Sequence, residues 1–434
     1  MNPTLRAVLL FSLMGFGLIF TGVNQSWTLA LVILNMSIIS SIMALGVNLQ
    51  WGYAGLFNVG IMGFTAIGGL AVVLVSADPV PEAWSAGGFG ALLGLALGAA
   101  TIVAGIAVWN RMPKGRTRIL ALIGTLVVGY FLTRSVFAPA RDAIASVNPT
   151  TQGYLGGAGL YVVLAWPVGG LLAAGLAWVI GKISLGLRSD YLAIATLGIS
   201  EIVIAVMKFE TWMSRGVNNV VGLPRAISRP VELQGVGFVQ SLSERTGIEL
   251  VEMASIVEKI GYALLFGAVL VILIALSDLA LKSPWGRMMR AIRDNEIAAR
   301  AMGKDVKAKH LMIFVLGSGI CGLAGAMMVT LDGQLTPGSY EPLRFTFLIW
   351  VMVIVGGSGN NWGSVLGGFV IYFLWIQAEP LGRGAMEILT AGMAEDNALR
   401  LHLLEQAAHT RLIMMGAALL FMLRFAPRGL IPER

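Results

Sequence analysis

Long apolar runs dominate this chain. Segments 5–22, 27–49, 53–76, 88–109, 119–137, 160–181, 190–207, 261–281, 310–331, 345–357, 362–378 and 411–425 are nearly free of charge. A transmembrane helix needs about 20 such residues to cross a hydrocarbon layer ~30 Å thick. The runs predict an all-α polytopic membrane protein of about ten to twelve spans. The pair at 345–378 is short and glycine-rich, which suits a discontinuous or re-entrant element. Composition agrees, with 57% apolar and 12% charged residues, against about 25% charged in soluble domains. A chain this apolar cannot cover its surface in water. Soluble enzyme and disordered-tail readings are excluded, and no nucleic-acid partner is expected. The first run is not read as a cleaved signal peptide, because it is long and leads straight into another run.

Charge placement orients the spans. If the first residues are cytoplasmic, 18 of the 30 Lys and Arg fall inside, including eight in the loop 282–309. Outside regions hold 16 of the 23 acidic residues. This is the positive-inside pattern, and it places both termini in the cytoplasm. The polar segments 208–260 and 379–410 then fall outside as inserts of a single membrane domain, too short for domains of their own. Residues 240–258 and 385–410 are each expected to form a short amphipathic helix.

Catalytic chemistry has little to rest on. There is no G-x-x-x-x-G-K-[ST] phosphate loop, no H-E-x-x-H and no G-x-S-x-G elbow. The single Cys321 rules out an internal disulfide, and its apolar neighbours read as core. His402 and His409 lie two helical turns apart but lack a third ligand for a metal. No catalytic or metal-binding residue is assigned.

Three stretches carry more information. In the loop from Ser283 to Gly303, Ser283 and Pro284 read as N-cap and first residue of a helix. Trp285, Met288, Met289 and Ile292 fall on one face, while Arg287, Arg290 and Arg293 face elsewhere. Asp294 is expected to cap a second short helix, with Gly303 at its left-handed exit. Two readings stay open: a basic interfacial helix held by lipid headgroups, and a docking helix for a cytoplasmic partner.

Second, Glu201 sits about midway along the run 190–207, near Tyr191, Thr196 and Gly198. A midplane carboxylate is costly unless paired, protonated or facing water. It is either a pathway residue or a hydrogen-bonded joint between helices. Third, Gly356-Gly357-Ser358-Gly359-Asn360-Asn361-Trp362-Gly363 and Trp51-Gly52-Tyr53-Ala54-Gly55-Leu56-Phe57-Asn58 are glycine-rich breaks. Both fall near the inner surface, where paired breaks can mark a transport path or simply close packing. Gly359, Gly363 and Gly367 are expected to form one small-residue helix face.

These stretches together resemble the LivM-type permeases of bacterial branched-chain amino-acid ABC importers. The family's patterns match Gly52–Gly55, Asp190–Ile202, Ser283–Ala299, Gly322–Ala326, Gly356–Gly363 and Pro427–Leu430. The resemblance covers most of 30–70 and 185–430. It implies a permease for Leu, Ile, Val or related neutral amino acids, in the bacterial inner membrane. It also implies a second homologous permease, two cytoplasmic ATP-binding subunits and a periplasmic amino-acid-binding protein. ATP and Mg would be bound by the partners, and no cofactor is expected in this chain. By that resemblance the coupling residues are Ser283, Pro284, Trp285, Gly286, Arg287, Arg290, Arg293, Asn295, Glu296, Ala298, Ala299 and Gly303. Ile297 departs from the importers' Glu-Ala-Ala form. Candidate path or gate residues are Tyr53, Gly55, Asn58, Tyr191, Thr196, Gly198, Glu201, Gly356, Gly357, Gly359 and Trp362. The stretches 77–157, 225–258 and 380–410 exceed what short relatives need. The competing reading is a stand-alone, ion-coupled secondary transporter, for which Glu201 would be the main membrane acid.

Overall fold

The computed structural model describes residues 3–148, 152–394 and 397–433. Residues 149–151 of the expected insert 77–157, residues 395–396 of the insert 379–410, and Arg434 lie outside the described residues. Helices form where the apolar runs demand them. In chain order they are α1 (Pro3–Asn24), α2 (Trp27–Val47), α3 (Ile61–Ser76), α4 (Phe89–Arg111), α5 (Arg116–Ser146), α6 (Ala165–Ser184) and α7 (Ser189–Phe209). Then follow α8 (Gly237–Thr246), α9 (Leu250–Lys282), α10 (Pro284–Asp294), α11 (Glu296–Ala301) and α12 (Val306–Asp332). The last are α13 (Pro342–Gly356), α14 (Asn361–Leu389), α15 (Ala398–Glu405) and α16 (Thr410–Phe425). Among the described residues ten helices are long and apolar enough to cross a membrane, and α3 and α13 are shorter apolar helices. One two-stranded pairing, β1 (Val220–Val221) with β2 (Gln334–Leu335), joins two loops in antiparallel register.

The core is built where backbones approach closely. α12 packs on α2, α3 and α6 through glycines that meet opposing carbonyls. Gly317 faces the Gly46 oxygen, Gly322 faces Gly169, and Gly325 faces Thr65. With lipid outside, tight van der Waals packing and hydrogen bonds replace the hydrophobic drive between helices. Accordingly α2 is largely enclosed, whereas α1, α4 and α5 turn most of their apolar side chains outward.

Several boundaries differ from the sequence expectation. The third span begins at Ile61 rather than 53, because residues 53–60 are not helical. Helix α14 runs past Pro380 to Leu389, so the first residues of the expected insert 379–410 continue that helix. Its polar side chains pair on the surface, Arg383 with Glu387 at 3.4 Å and Arg411 with Glu379. The helix expected at 240–258 is two helices, since Gly247 takes a left-handed conformation (φ +70°) and ends α8 before α9 starts. His402 and His409 do not keep a regular two-turn α spacing, because the helical stretch Ala398–Phe425 tightens into a 3₁₀ turn over Gln406–His409.

Candidate functional site

Two facing backbone breaks lie where the ends of α2, α9 and α13 meet the start of α14. Helix α2 loosens into a π turn over Asn48–Gly52, and the chain turns at Gly55 (φ +70°). Residues 53–60 then run without a helical ladder, so their polar groups need other partners. The Val59 N–H donates to Thr196 Oγ1 (3.1 Å) and the Gly60 N–H to Asn58 Oδ1 (2.9 Å). Trp350 Nε1 donates to the Asn58 carbonyl (3.1 Å), and Asn58 Nδ2 donates to Gln50 Oε1 (2.9 Å). Gln50 Nε2 in turn donates to the Phe314 carbonyl at 2.8 Å. Two expected path residues, Asn58 and Thr196, are thus buried and serve to satisfy the broken backbone.

The second break spans Gly356 to Asn360. Gly357 (φ +117°) and Gly359 (φ +79°) occupy backbone regions that side-chain-bearing residues avoid. The Gly359 N–H donates to Asn48 Oδ1 at 2.8 Å, which locks one break on the other. Asn360 caps α14 by accepting from the N–H groups of Trp362 (3.0 Å) and Gly363 (3.3 Å). This corrects one expectation. Gly359 lies in the corner and not on the helix, so the close face between α13 and α14 is made by Gly356, Gly363 and Gly367. Trp362 points toward α1, where its ring meets Phe11 edge-on at 6.1 Å.

The loop from Ser283 to Gly303 folds as α10 and α11. Ser283 caps α10, its hydroxyl accepting from the Trp285 N–H at 3.2 Å. Met289 and Ile292 are buried and Arg287 is exposed, as their spacing predicts. Asn295, not Asp294, caps α11 by accepting from the Ala298 N–H at 2.9 Å. Asp294 instead closes α10. Gly303 is left-handed (φ +77°), while Ile297 and Met302 stand exposed at 82% and 79%. Arg293 does not face outward. It donates to the Gly52 carbonyl, to Glu433 (2.9 Å) and to Asp294 (3.2 Å). Burial opposes its charge, but Glu433 and Asp294 outweigh that and raise its pKa above the usual arginine value. Replacing Ser283 with Ala should lower the protein's thermal stability by about 1 kcal/mol, and Ser283→Thr by less. Thermal unfolding of the purified chain reads both.

On α7 the expected residues divide between two faces. Thr196 points inward, while Tyr191, Gly198 and Glu201 lie on an open face. Glu201 does not join helices within this chain, since no described residue bonds its carboxylate. It lines an open cavity of about 750 Å³ with Lys208, Glu341, Arg344, Trp375 and His409. The cavity sits toward the opposite end of the bundle from Arg293, at the start of α13 and of α16. Sequence reasoning missed Glu433, Asn48, Asn361 and Arg344. Polar residues inside apolar runs were the available signal for Asn48 and Asn361.

Broken helices that meet inside a bundle of spans, beside a capped amphipathic pair, fit the class of membrane permeases. A family model described as the branched-chain amino acid transport system / permease component matches residues 118–423. The chain belongs to that family. It is 25% identical over 322 residues to the high-affinity branched-chain amino acid transport system permease protein LivM of Escherichia coli K12. That alignment covers 73% of this chain and 66% of the relative, so the matched region spans just under two thirds of it. A probable branched-chain amino acid transport permease protein LivM of Methanocaldococcus jannaschii is 26% identical over 338 residues, or 74% of this chain and 86% of that one. A probable LivH of the same organism is 29% identical over 103 residues, or 24% of this chain and 32% of that protein. No solved structure matches the chain.

Proposed function

We propose that this chain is the membrane-spanning permease subunit of an ATP-driven importer for branched-chain or related neutral amino acids. It catalyses no reaction itself. It would sit in the bacterial inner membrane with both termini cytoplasmic. There it would pair with a second homologous permease, two ATP-binding subunits that hold ATP and Mg, and a periplasmic amino-acid-binding protein. The family match supports the substrate class. The observation that carries the mechanism is the α10–α11 pair, which has one face packed on the bundle and Ile297 and Met302 presented outward. Buried on one side and capped at both helix starts, the pair can take a push from a docked ATPase as a rigid piece. The two permeases would then rock between inward- and outward-open states, with α7 facing the path. A zwitterion passing that face would meet Glu201 with its ammonium group and Lys208 or Arg344 with its carboxylate, between Trp375 and Leu348.

Co-purification from native membranes tests the assembly. A second permease and two ATP-binding proteins should come down in stoichiometric amounts, and labelled leucine should enter vesicles only with ATP and the binding protein. A chain that is isolated alone and takes up leucine on an ion gradient would overturn the proposal. Glu201→Gln keeps the shape and removes the charge. Uptake is expected to fall about tenfold with partner retention unchanged, the loss of one charge-assisted contact. Unaltered uptake by this variant would remove Glu201 from the path.

A further inference from the structure

We infer that the segment after α16, residues 426–433, is a strap that ties the coupling helix α10 to both glycine breaks. Glu433 and Arg293 act in it as positioning residues. The inference rests on the reading of Ser283–Gly303 as the face where the ATPases dock.

The strap begins at a tight turn, with the Gly429 N–H donating to the Ala426 carbonyl at 2.8 Å and Gly429 left-handed (φ +82°). Its next two N–H groups donate to the last turn of α13, Leu430 to the Val355 carbonyl (2.8 Å) and Ile431 to Gly356 (2.9 Å). A helix leaves its final carbonyls without intrahelical donors. The strap fills those vacancies, and its own carbonyls are used in return. Asn360 Nδ2, from the start of α14, donates to the Pro432 carbonyl at 3.1 Å. Ile431 is buried, with its backbone against Gly357 and Gly363. A side chain at either glycine would displace the strap.

Glu433 then closes the ring. Its carboxylate lies against Gly359 and accepts from Arg293 of α10 at 2.9 Å. The same guanidinium nitrogen donates to the Gly52 carbonyl in the first break. One cation therefore touches the coupling helix, the end of α2 and the strap. A second route runs parallel to it. Asn361 Nδ2 donates to Asp278 of α9 (2.7 Å), Asn48 Nδ2 donates to Asn361 Oδ1 (3.2 Å), and Asn48 Oδ1 accepts from Gly359. Helix α9 leads directly into α10 through Ser283. A displacement of α10 must accordingly carry the end of α2 and the start of α14 with it. A mere seal over the end of α13 would need the backbone bonds of Leu430 and Ile431 but not the Glu433–Arg293 contact.

The test uses the assembled transporter in liposomes and reads leucine uptake per ATP hydrolysed. The variants are Glu433→Gln, Glu433→Asp and a deletion of residues 429–434. In Glu433→Gln the ATPases should stay bound and hydrolyse ATP at close to the unaltered rate. Uptake per ATP should fall about tenfold, the worth of one charge-assisted contact. Glu433→Asp should recover part of it, and the deletion should lose at least as much as Glu433→Gln. The proposal is overturned if Glu433→Gln and the deletion keep the normal uptake-to-ATP ratio. It is equally overturned if uptake and ATP hydrolysis fall in proportion, because that marks a purely structural role. If the unaltered chain retains no ATPase, the docking reading has failed, and the strap proposal falls with it. Retained ATPases with a normal ratio would sink the strap alone.

Discussion

Replacing Gly303 with Pro is expected to cut amino-acid uptake about a hundredfold while the chain still inserts and folds. Gly303 ends α11 at φ +77°, and its N–H donates to the Arg300 carbonyl at 2.9 Å. Proline fixes φ near −65° and has no N–H, so it contradicts the position twice. The penalty is about 3 kcal/mol or more, which corresponds to a population change above a hundredfold. The damage stays local, because a side chain at Gly303 meets no other atom and the residue is exposed. Detergent-extracted variant should run as a monodisperse species at normal yield, yet vesicles carrying it should not accumulate labelled leucine. Normal uptake would show that the exit of α11 has no part in coupling.

The second large effect concerns stability, and its sign is opposite to helix propensity. Gly68 and Gly175 both lie inside helices, where Ala is favoured over Gly by about 1 kcal/mol. Space separates them. A methyl group at Gly175 would meet nothing, whereas one at Gly68 would overlap the Gly322 carbonyl of α12. Neither backbone can yield without parting α3 from α12, and overpacking of this kind costs about 1–3 kcal/mol or more. Gly68→Ala should therefore lower the melting temperature by several degrees, and Gly175→Ala should leave it level or raise it. Thermal unfolding of the two variants in one detergent decides between packing and propensity. A stabilised Gly68→Ala protein would mean that the α3–α12 contact is looser than described.

The spans were readable because the apolar runs have the length a bilayer requires. The capped loop was readable because Ser283, Pro284 and Gly303 each suit one backbone position for local reasons. Where the reading slipped, two local signals were both acceptable. Asp294 and Asn295 are each good caps, and only the pairing with the Ala298 N–H decides for Asn295. Gly52 and Gly55 marked the stretch from Tyr53 to Gly60 as a break, yet its apolar residues let the span 53–76 begin too early. The Trp350 partner of the Asn58 carbonyl lies too far off in sequence to be read locally. Glu379, Arg383 and Glu387 end the apolar run, so hydropathy alone did not show that α14 continues to Leu389, and the Glu379 partner Arg411 is distant in sequence. The cavity beside Glu201 was out of reach altogether. It gathers residues from α7, α13, α14 and α16, and nothing in any one of them signals the others. Glu433 and Arg293 stand 140 positions apart and belong to the same class of long-range facts.

The polar seam of α2 also governs how the protein can be made. Ser41 donates to the Val365 carbonyl across 324 residues of sequence, and Asn48 donates to Asn361 across 313. At ordinary synthesis rates the ribosome reaches those partners about 15–60 s after α2 itself emerges. Until then the Asn48 amide lacks the Asn361 partner it finds in the finished protein, a state that hydrocarbon penalises, while the Ser41 hydroxyl has only the Ser37 carbonyl of its own helix. Assembly of the core is thus a late event in translation.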